Sequence, residues 1–178
     1  ALSRAQAELM EQVAANMRFL QRRVPGFQRS VLAGLAPRIG IRETRRILGE
    51  HVLTAEEVLA GRKSEDGVAK GGHHVDIHGS GTDQKRVPVS GGRSYDIPYG
   101  CLIPRALDNV LLAGRCFSAT REANGSARVM GTCMATGQAA GTAAALCVAS
   151  GWQDVRQVPV PELRRVLKAQ DAVIDGTQ

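Results

Sequence analysis

The chain has 178 residues, with 23 Lys and Arg against 17 Asp and Glu, and a formal net charge of +6. Its length predicts one domain, or one domain and part of another. Apolar residues make up 43% and charged residues 22%, which excludes a disordered tail, a collagen-like chain and a disulfide-stapled miniprotein. Aromatic residues reach only 3%, which counts against a protein that stacks single-stranded nucleic acid on exposed rings.

The N-terminal third is predicted to contain two helices separated by a basic segment. Apolar residues at helical spacing predict a helix over residues 2–22, which Pro25-Gly26 ends. Between Arg38 and Arg46 lie four arginines and one glutamate, a pattern typical either of a solvated basic strand or of an anion-binding segment. Thr54, with Glu57 three residues later, predicts a capped helix that ends near Gly61.

Residues 64–100 are rich in glycine and contain three alternating stretches, at 75–78, 86–89 and 95–99. These predict short antiparallel strands, with Pro88 and Pro98 at edges or strand ends. Three histidines near Asp76 could be drawn as a metal site, but their glycine-rich surroundings do not favour one, and we predict no metal. The four cysteines lack C-x-x-C spacing, which predicts buried free thiols in a reducing compartment such as the cytoplasm.

The C-terminal half is predicted to contain a β-strand, a long polar loop and a helix of small residues. Val110–Ala113 has the continuous apolar character of a buried strand in a parallel sheet, and a sixteen-residue loop follows from Arg115 to Met130. The uncharged stretch 129–153 is long enough to cross a bilayer, but its Ala, Gly and Thr content favours a water-soluble helix over residues 131–149. We expect that helix to be packed on all sides, with Gly137, Gly141 and Ala144 against a sheet. A final amphipathic helix is predicted over residues 158–167, with Pro161 in its first turn.

The geometry of such a unit predicts a ligand site. Ligands bind outside the carboxyl ends of strands in open parallel sheets. The helix start near Gly131 would add unpaired N–H groups and a positive dipole end, which suit an anion or a partly anionic ring.

Several motifs in this half resemble one known family. They are Asn109 to Cys116 (NVLLAGRC), Ser118-Ala119-Thr120, Gly125 to Met130 (GSARVM), Thr132 to Ala135 (TCMA) and Gly137 to Ala144 (GQAAGTAA), preceded by Arg38 to Gly49, Asp76-x-His78 and Tyr95 to Pro104. Their order resembles the C-terminal flavin-binding segment of FAD-dependent oxidoreductases, a family that includes many xanthan-lyase-like annotated proteins. Gly100, Arg121 and Gly131 depart from the family's usual residues.

The resemblance implies an α/β fold, seen as α+β in a fragment. A buried strand and small-residue helix of an FAD-binding fold would stand beside antiparallel strands and helices of a substrate domain. Residues 1–107 would form part of a substrate or cap domain, 108–150 the strand–loop–helix of the FAD-binding domain, and 151–178 a helical tail.

The resemblance also implies FAD as the cofactor and a flavin-reducing oxidation of an unidentified small molecule. The isoalloxazine-side wall would come from Gly114, Arg115, Gly125, Ser126, Arg128, Met130, Gly131, Thr132, Cys133 and Met134. We name His78 as the candidate catalytic base, beside Asp76 on the same strand face, with Arg42 and Tyr99 as substrate anchors.

The sequence contains no G-x-G-x-x-G, the motif that cradles the cofactor's pyrophosphate. We therefore expect an N-terminal FAD-binding segment to complete the site, and expect the isolated chain to be inactive. A non-catalytic structural or interaction domain derived from a flavoprotein stays as an alternative, as does a basic nucleic-acid-binding module. We favour neither a nucleic-acid nor a membrane partner, and leave a homo-oligomer open.

Overall fold

A computed structural model describes residues 2–79 and 83–176 of the chain. These residues fall into two compact units that divide between Ile41 and Arg42. The helices are α1 (Leu2–Arg23), α2 (Ala55–Ala60), α3 (Arg121–Ala127), α4 (Met130–Ser150) and α5 (Val160–Ala169). The strands are β1 (Gly67–Gly71), β2 (Val75–His78), β3 (Gln84–Val87) and β4 (Tyr95–Pro98).

The first unit consists of α1 and an irregular segment. The helix matches the prediction within one residue and contains no buried side chain. Its C-terminal end is tied to the next segment by Gln21, whose Nε2 donates to the Ser30 carbonyl at 2.9 Å. Apolar side chains of this unit, such as Phe19 and Val31, are exposed.

Two antiparallel pairs of strands make up the β-structure of the second unit. Strand β1 pairs with β4, and β2 pairs with β3. Gly71 faces Tyr95 across the first pair, where a Cβ atom would meet the tyrosine ring at 2.4 Å, so only glycine fits this approach. The strands predicted at 75–78 and 95–99 are confirmed within one residue, and the strand predicted at 86–89 lies two residues earlier, as β3. Pro88 directly follows β3, and Pro98 is the last residue of β4. Strand β1 was missed because its glycines obscure any alternating pattern.

The predicted start of α2 is confirmed in detail. The Thr54 hydroxyl accepts from the Glu57 N–H at 3.3 Å, and the Glu57 carboxylate accepts from the Thr54 N–H at 2.8 Å. This reciprocal pair is a capping box, and Gly61 ends the helix in the left-handed conformation.

Helix α4 confirms its predicted bounds within one residue but corrects its predicted packing. One face is buried against the core, including Thr136, Ala139 and Ala143. Gly137 and Gly141 face open space instead of a sheet, since a Cβ atom on either would meet nothing within 4 Å. Within the described residues, α4 is therefore packed on one face only and not on all sides.

The segment before α4 differs from its prediction in two places. Val110–Ala113 belongs to none of the four strands. Leu112 is buried and its N–H donates to the Leu102 carbonyl at 2.7 Å, but no parallel partner strand lies within residues 2–79 and 83–176. The predicted sixteen-residue loop contains α3. Thr120 caps this helix, because its hydroxyl accepts from the Ala123 N–H at 3.3 Å. Helix α3 was missed because this short helix consists mainly of polar residues, which gave it the composition of a loop.

Candidate functional site

The turn at Gly114 meets the first turns of α4, as the geometry of a strand–loop–helix unit predicts. Gly114 has a φ of 68°, a left-handed conformation that favours glycine. Its N–H donates to the Thr136 hydroxyl at 3.0 Å, and a Cβ atom at Gly114 would lie 3.9 Å from the Cys133 sulfur. These contacts bring Gly114, Arg115 and the start of α4 to one place.

The N-terminus of α4 has amide groups with no side-chain cap. Val129 precedes the helix and provides no capping side chain, and the first backbone bond runs from the Cys133 N–H to the Val129 carbonyl at 2.9 Å. The N–H groups of Met130, Gly131 and Thr132 therefore precede the helical ladder. Gly131 has open space beside it, so a flat, electron-rich group could approach these donors.

The thiol of Cys133 lies beside this helix start. Burial raises its pKa, and the nearby Arg115 guanidinium opposes that shift. The thiol is thus neutral near pH 7 and polarisable.

Gly125, Ser126 and Arg128 connect this helix start to strand β2. Gly125 permits a close approach, because a Cβ atom there would meet the Asp76 carbonyl oxygen at 3.0 Å. The Arg128 side chain, 11% exposed, donates from Nη2 to that same oxygen at 2.9 Å and pairs with Glu43 at 3.2 Å. Ser126 is buried, with its hydroxyl 2.8 Å from the Tyr95 hydroxyl. Gly125 and Ser126 therefore lie in the core that supports the start of α4.

His78 and Asp76 lie side by side on β2, as expected for alternate residues of a strand. His78 Nε2 is 3.0 Å from Asp76 Oδ2, and Gln84 of β3 donates to Asp76 Oδ1 at 3.0 Å. Burial alone would raise the pKa of Asp76, but the hydrogen bonds from His78 and Gln84, with the charges of His78 and Arg86, lower it to about 2. The carboxylate therefore stays ionised near neutral pH and orients an exposed imidazole.

The structure holds the Tyr99 side chain in the core and leaves Arg42 exposed. Tyr99 is buried, its hydroxyl donates to the Val155 carbonyl at 2.9 Å, and burial raises its pKa well above the ordinary value. This hydroxyl already has a partner in the core, which argues against its prediction as a substrate anchor. Arg42 is exposed and makes no ion pair within residues 2–79 and 83–176.

Two residues of the site were not identified from the sequence. Glu43 holds Arg128 across 85 positions of sequence, and Tyr95 holds Ser126 across 31. Burial raises the pKa of Tyr95 to about 12, against the hydrogen bond with Ser126, so it remains a neutral phenol. Both residues lie inside the motifs that resemble the family, and their place in those motifs is the sequence signal that could have identified them.

The histidines and cysteines have local roles. Nδ1 of His73 lies 2.7 Å from the His74 carbonyl oxygen. In the described part of the chain, no three side chains of His, Cys, Asp or Glu are grouped as metal ligands. All four cysteines are free, two of them buried and two, Cys116 and Cys133, partly exposed. None of the described helices combines the length and hydrophobicity needed to cross a membrane.

A comparison with protein families gives one match. The sequence profile described as FAD dependent oxidoreductase matches residues 1–167, which is most of the chain. This match confirms the family that the motifs resemble, and does not extend to the narrower xanthan-lyase-like label. No curated protein and no solved structure gives a significant match.

Proposed function

The chain belongs to the FAD-dependent oxidoreductase family, whose members use FAD, and we propose that it forms the C-terminal portion of such an enzyme. In this proposal it supplies the isoalloxazine-side wall of the flavin site and part of the substrate site. When bound, FAD supplies a two-electron acceptor. The residues present suit the ring half of that cofactor, because uncapped helix amides stand open at Gly131.

The observation that carries the proposal is a physical connection between two predicted groups. The wall residues at Gly114 and the start of α4 continue into Arg128, which bonds the backbone of β2 at Asp76. His78 is two residues further along that strand. The Arg128 contact thus links the strand that carries the proposed base to the helix start, and we propose that substrate and flavin ring meet between them, as hydride transfer requires.

The exposed face of α4 is an argument for a second segment that completes the site. At 100° per residue, Met130, Met134, Gly137, Gly141 and Val148 fall in one stripe opposite the buried face. The three large side chains of this stripe, Met130, Met134 and Val148, are 83%, 74% and 83% exposed. A helix that is apolar all round is normally buried. We propose that a nucleotide-binding segment of the same enzyme covers this stripe.

The chain's own residues then have distinct roles. His78 takes the substrate proton, and Asp76 orients its imidazole and balances the charge that forms. Arg42, which is exposed, remains the proposed anchor for a substrate carboxylate or hydroxyl. The four free thiols support a reducing compartment, and we keep the cytoplasm as the proposed location.

The experiment compares flavin binding by the chain alone and by an assembled pair. The chain alone should bind FAD and riboflavin equally weakly, because no glycine-rich loop in this sequence cradles the pyrophosphate. Co-expression with the nucleotide-binding portion of a family flavoprotein should give a yellow complex with stoichiometric flavin.

Matched variants identify the surface that assembles. Val148→Lys places a charge on the stripe, away from the proposed flavin wall, and should reduce both complex formation and flavin content. Ala149→Lys adds the same charge at an exposed position of α4 outside the stripe and should leave both unchanged. Tight FAD binding by the chain alone would contradict the need for a second segment. A stable complex without flavin would instead support the non-catalytic alternative.

A further inference from the structure

A cavity lies away from the Gly114 turn, between β1, α5 and the segment that follows α5. Its volume is about 420 Å³, and three cationic side chains line it, those of Lys63, Lys70 and Arg164. Three acidic residues share this lining, Glu65, Asp96 and Asp175. The proposed flavin wall uses none of these residues.

The cationic groups are held in place by the fold. Lys70 is only 9% exposed and faces Asp96 across the β1–β4 pair, with Nζ 2.6 Å from the carboxylate. Arg164 donates from Nη1 to the Gly67 carbonyl, which leaves its Nη2 edge turned to the cavity. A buried ammonium and an oriented guanidinium therefore converge on one space.

Like charges are also close together here. Burial lowers the pKa of Lys63, and the neighbouring Lys70 ammonium lowers it further, against the opposing effect of Asp96. The Lys63 ammonium also donates to the Ser94 carbonyl at 2.7 Å and to the Ser94 hydroxyl at 2.8 Å. A further anion at this cavity would reduce the repulsion between the two ammonium groups.

One such anion is provided by the chain itself. Asp175 accepts from Arg164 Nη2 at 2.6 Å and also pairs with Lys168. Its side chain is nevertheless 53% exposed, because it reaches the cations from the segment after α5. Ile174, the preceding residue, is buried and anchors this segment over the cavity.

We propose that this cavity is a binding site for a small oxyanion, a phosphate or carboxylate group, which the Asp175 carboxylate occupies in the absence of ligand. The planar guanidinium of Arg164 offers a pair of donors that suits either group. Lys168 and Lys70 supply the balancing charge. An incoming anion displaces Asp175 and takes over its two contacts.

The test is a titration of the 178-residue chain with inorganic phosphate, followed by calorimetry and by phosphorus NMR line width. Asp175→Asn removes the resident carboxylate and should tighten phosphate binding about tenfold, the value of one charge-assisted hydrogen bond. Glu162→Gln is the matched control: it lies on α5, changes the net charge equally and pairs with Arg165 outside the cavity. Its affinity should equal that of the unmodified chain.

Two further variants test the cations. Arg164→Gln in the Asp175→Asn background should remove the gained affinity, and Lys168→Gln, at a half-exposed position, should reduce it while circular dichroism confirms the fold. A parallel titration with malonate distinguishes a carboxylate ligand from a phosphate ligand, and binding of either supports the site. Equal affinities for Asp175→Asn and Glu162→Gln would overturn the proposal, as would no binding of either anion. These outcomes do not depend on flavin binding, so the two proposals fail separately.

Discussion

Replacing Gly137 and Gly141 with alanine should stabilise the isolated chain and weaken assembly of the flavin enzyme. Both glycines lie in the interior of α4, and neither has a positive φ. A methyl group at either position meets no atom within 4 Å in the described structure. The substitution is therefore free of steric cost in the chain alone.

The magnitude follows from helix propensity. A glycine inside a helix costs about 0.8–1.0 kcal/mol relative to alanine, because it loses more backbone freedom on folding. Two such substitutions should raise the free energy of unfolding by about 1.6–2 kcal/mol. The two positions are one turn apart on a face with open space, so no new clash offsets the gain.

Urea unfolding followed by the fluorescence of Trp152 measures this effect. This tryptophan is the only one in the chain, and its backbone N–H donates to the Cys147 carbonyl at the C-terminal end of α4. A shift of the midpoint to higher urea with an unchanged slope is the expected result. An unchanged or lowered stability would refute the reasoning, because it would mean that the stripe is already covered, as in a self-associated form. Sedimentation of the unmodified chain detects that form directly.

Two further predictions concern β2. In an assembled enzyme, His78→Ala should slow flavin reduction by at least about a hundredfold, the usual contribution of a general base, in single-turnover absorbance measurements; a loss of only a few-fold would exclude this role. Because the folded-state pKa of Asp76 is lowered to about 2 from 3.8, its carboxylate contributes stability above about pH 4 that is lost as the pH falls through 2. The stability difference between the chain and Asp76→Asn, measured by urea unfolding, should therefore narrow from pH 4 to pH 2, and a constant difference would contradict the ion pair.

The sequence predicted the elements whose signals are local. Apolar periodicity located α1 and α4, and the Thr54–Glu57 spacing located the start of α2. Signals that depend on distant partners were less reliable. The apolar run at Val110–Ala113 looks like a buried strand, but a strand exists only where another strand pairs with it, and the described residues offer none there.

The site followed the same division between local and distant information. The geometry of a strand–loop–helix unit placed Gly114 near the start of α4, and strand alternation placed His78 beside Asp76. The role of Tyr99 could not be read in this way, because its hydroxyl partner lies 56 positions away at Val155. A motif residue can thus belong to the core that supports a site and not to its surface.

Arg128 joins the two halves of the proposed site, and its energetics suggest why an ion pair stands there. A largely buried pair such as Arg128–Glu43 adds little net stability over an apolar pair of similar volume, because both ions lose their hydration. Stability alone therefore does not explain it. The guanidinium also bonds the Asp76 carbonyl, which an apolar side chain could not do. Since Arg128 lies two residues before Met130, the first residue of α4, this bond sets the spacing between the helix amides and the strand that carries His78. In the proposed enzyme, the substrate lies at the strand that carries His78 and the flavin ring lies at the helix amides. Hydride transfer between them depends on that spacing more than on a small gain in stability.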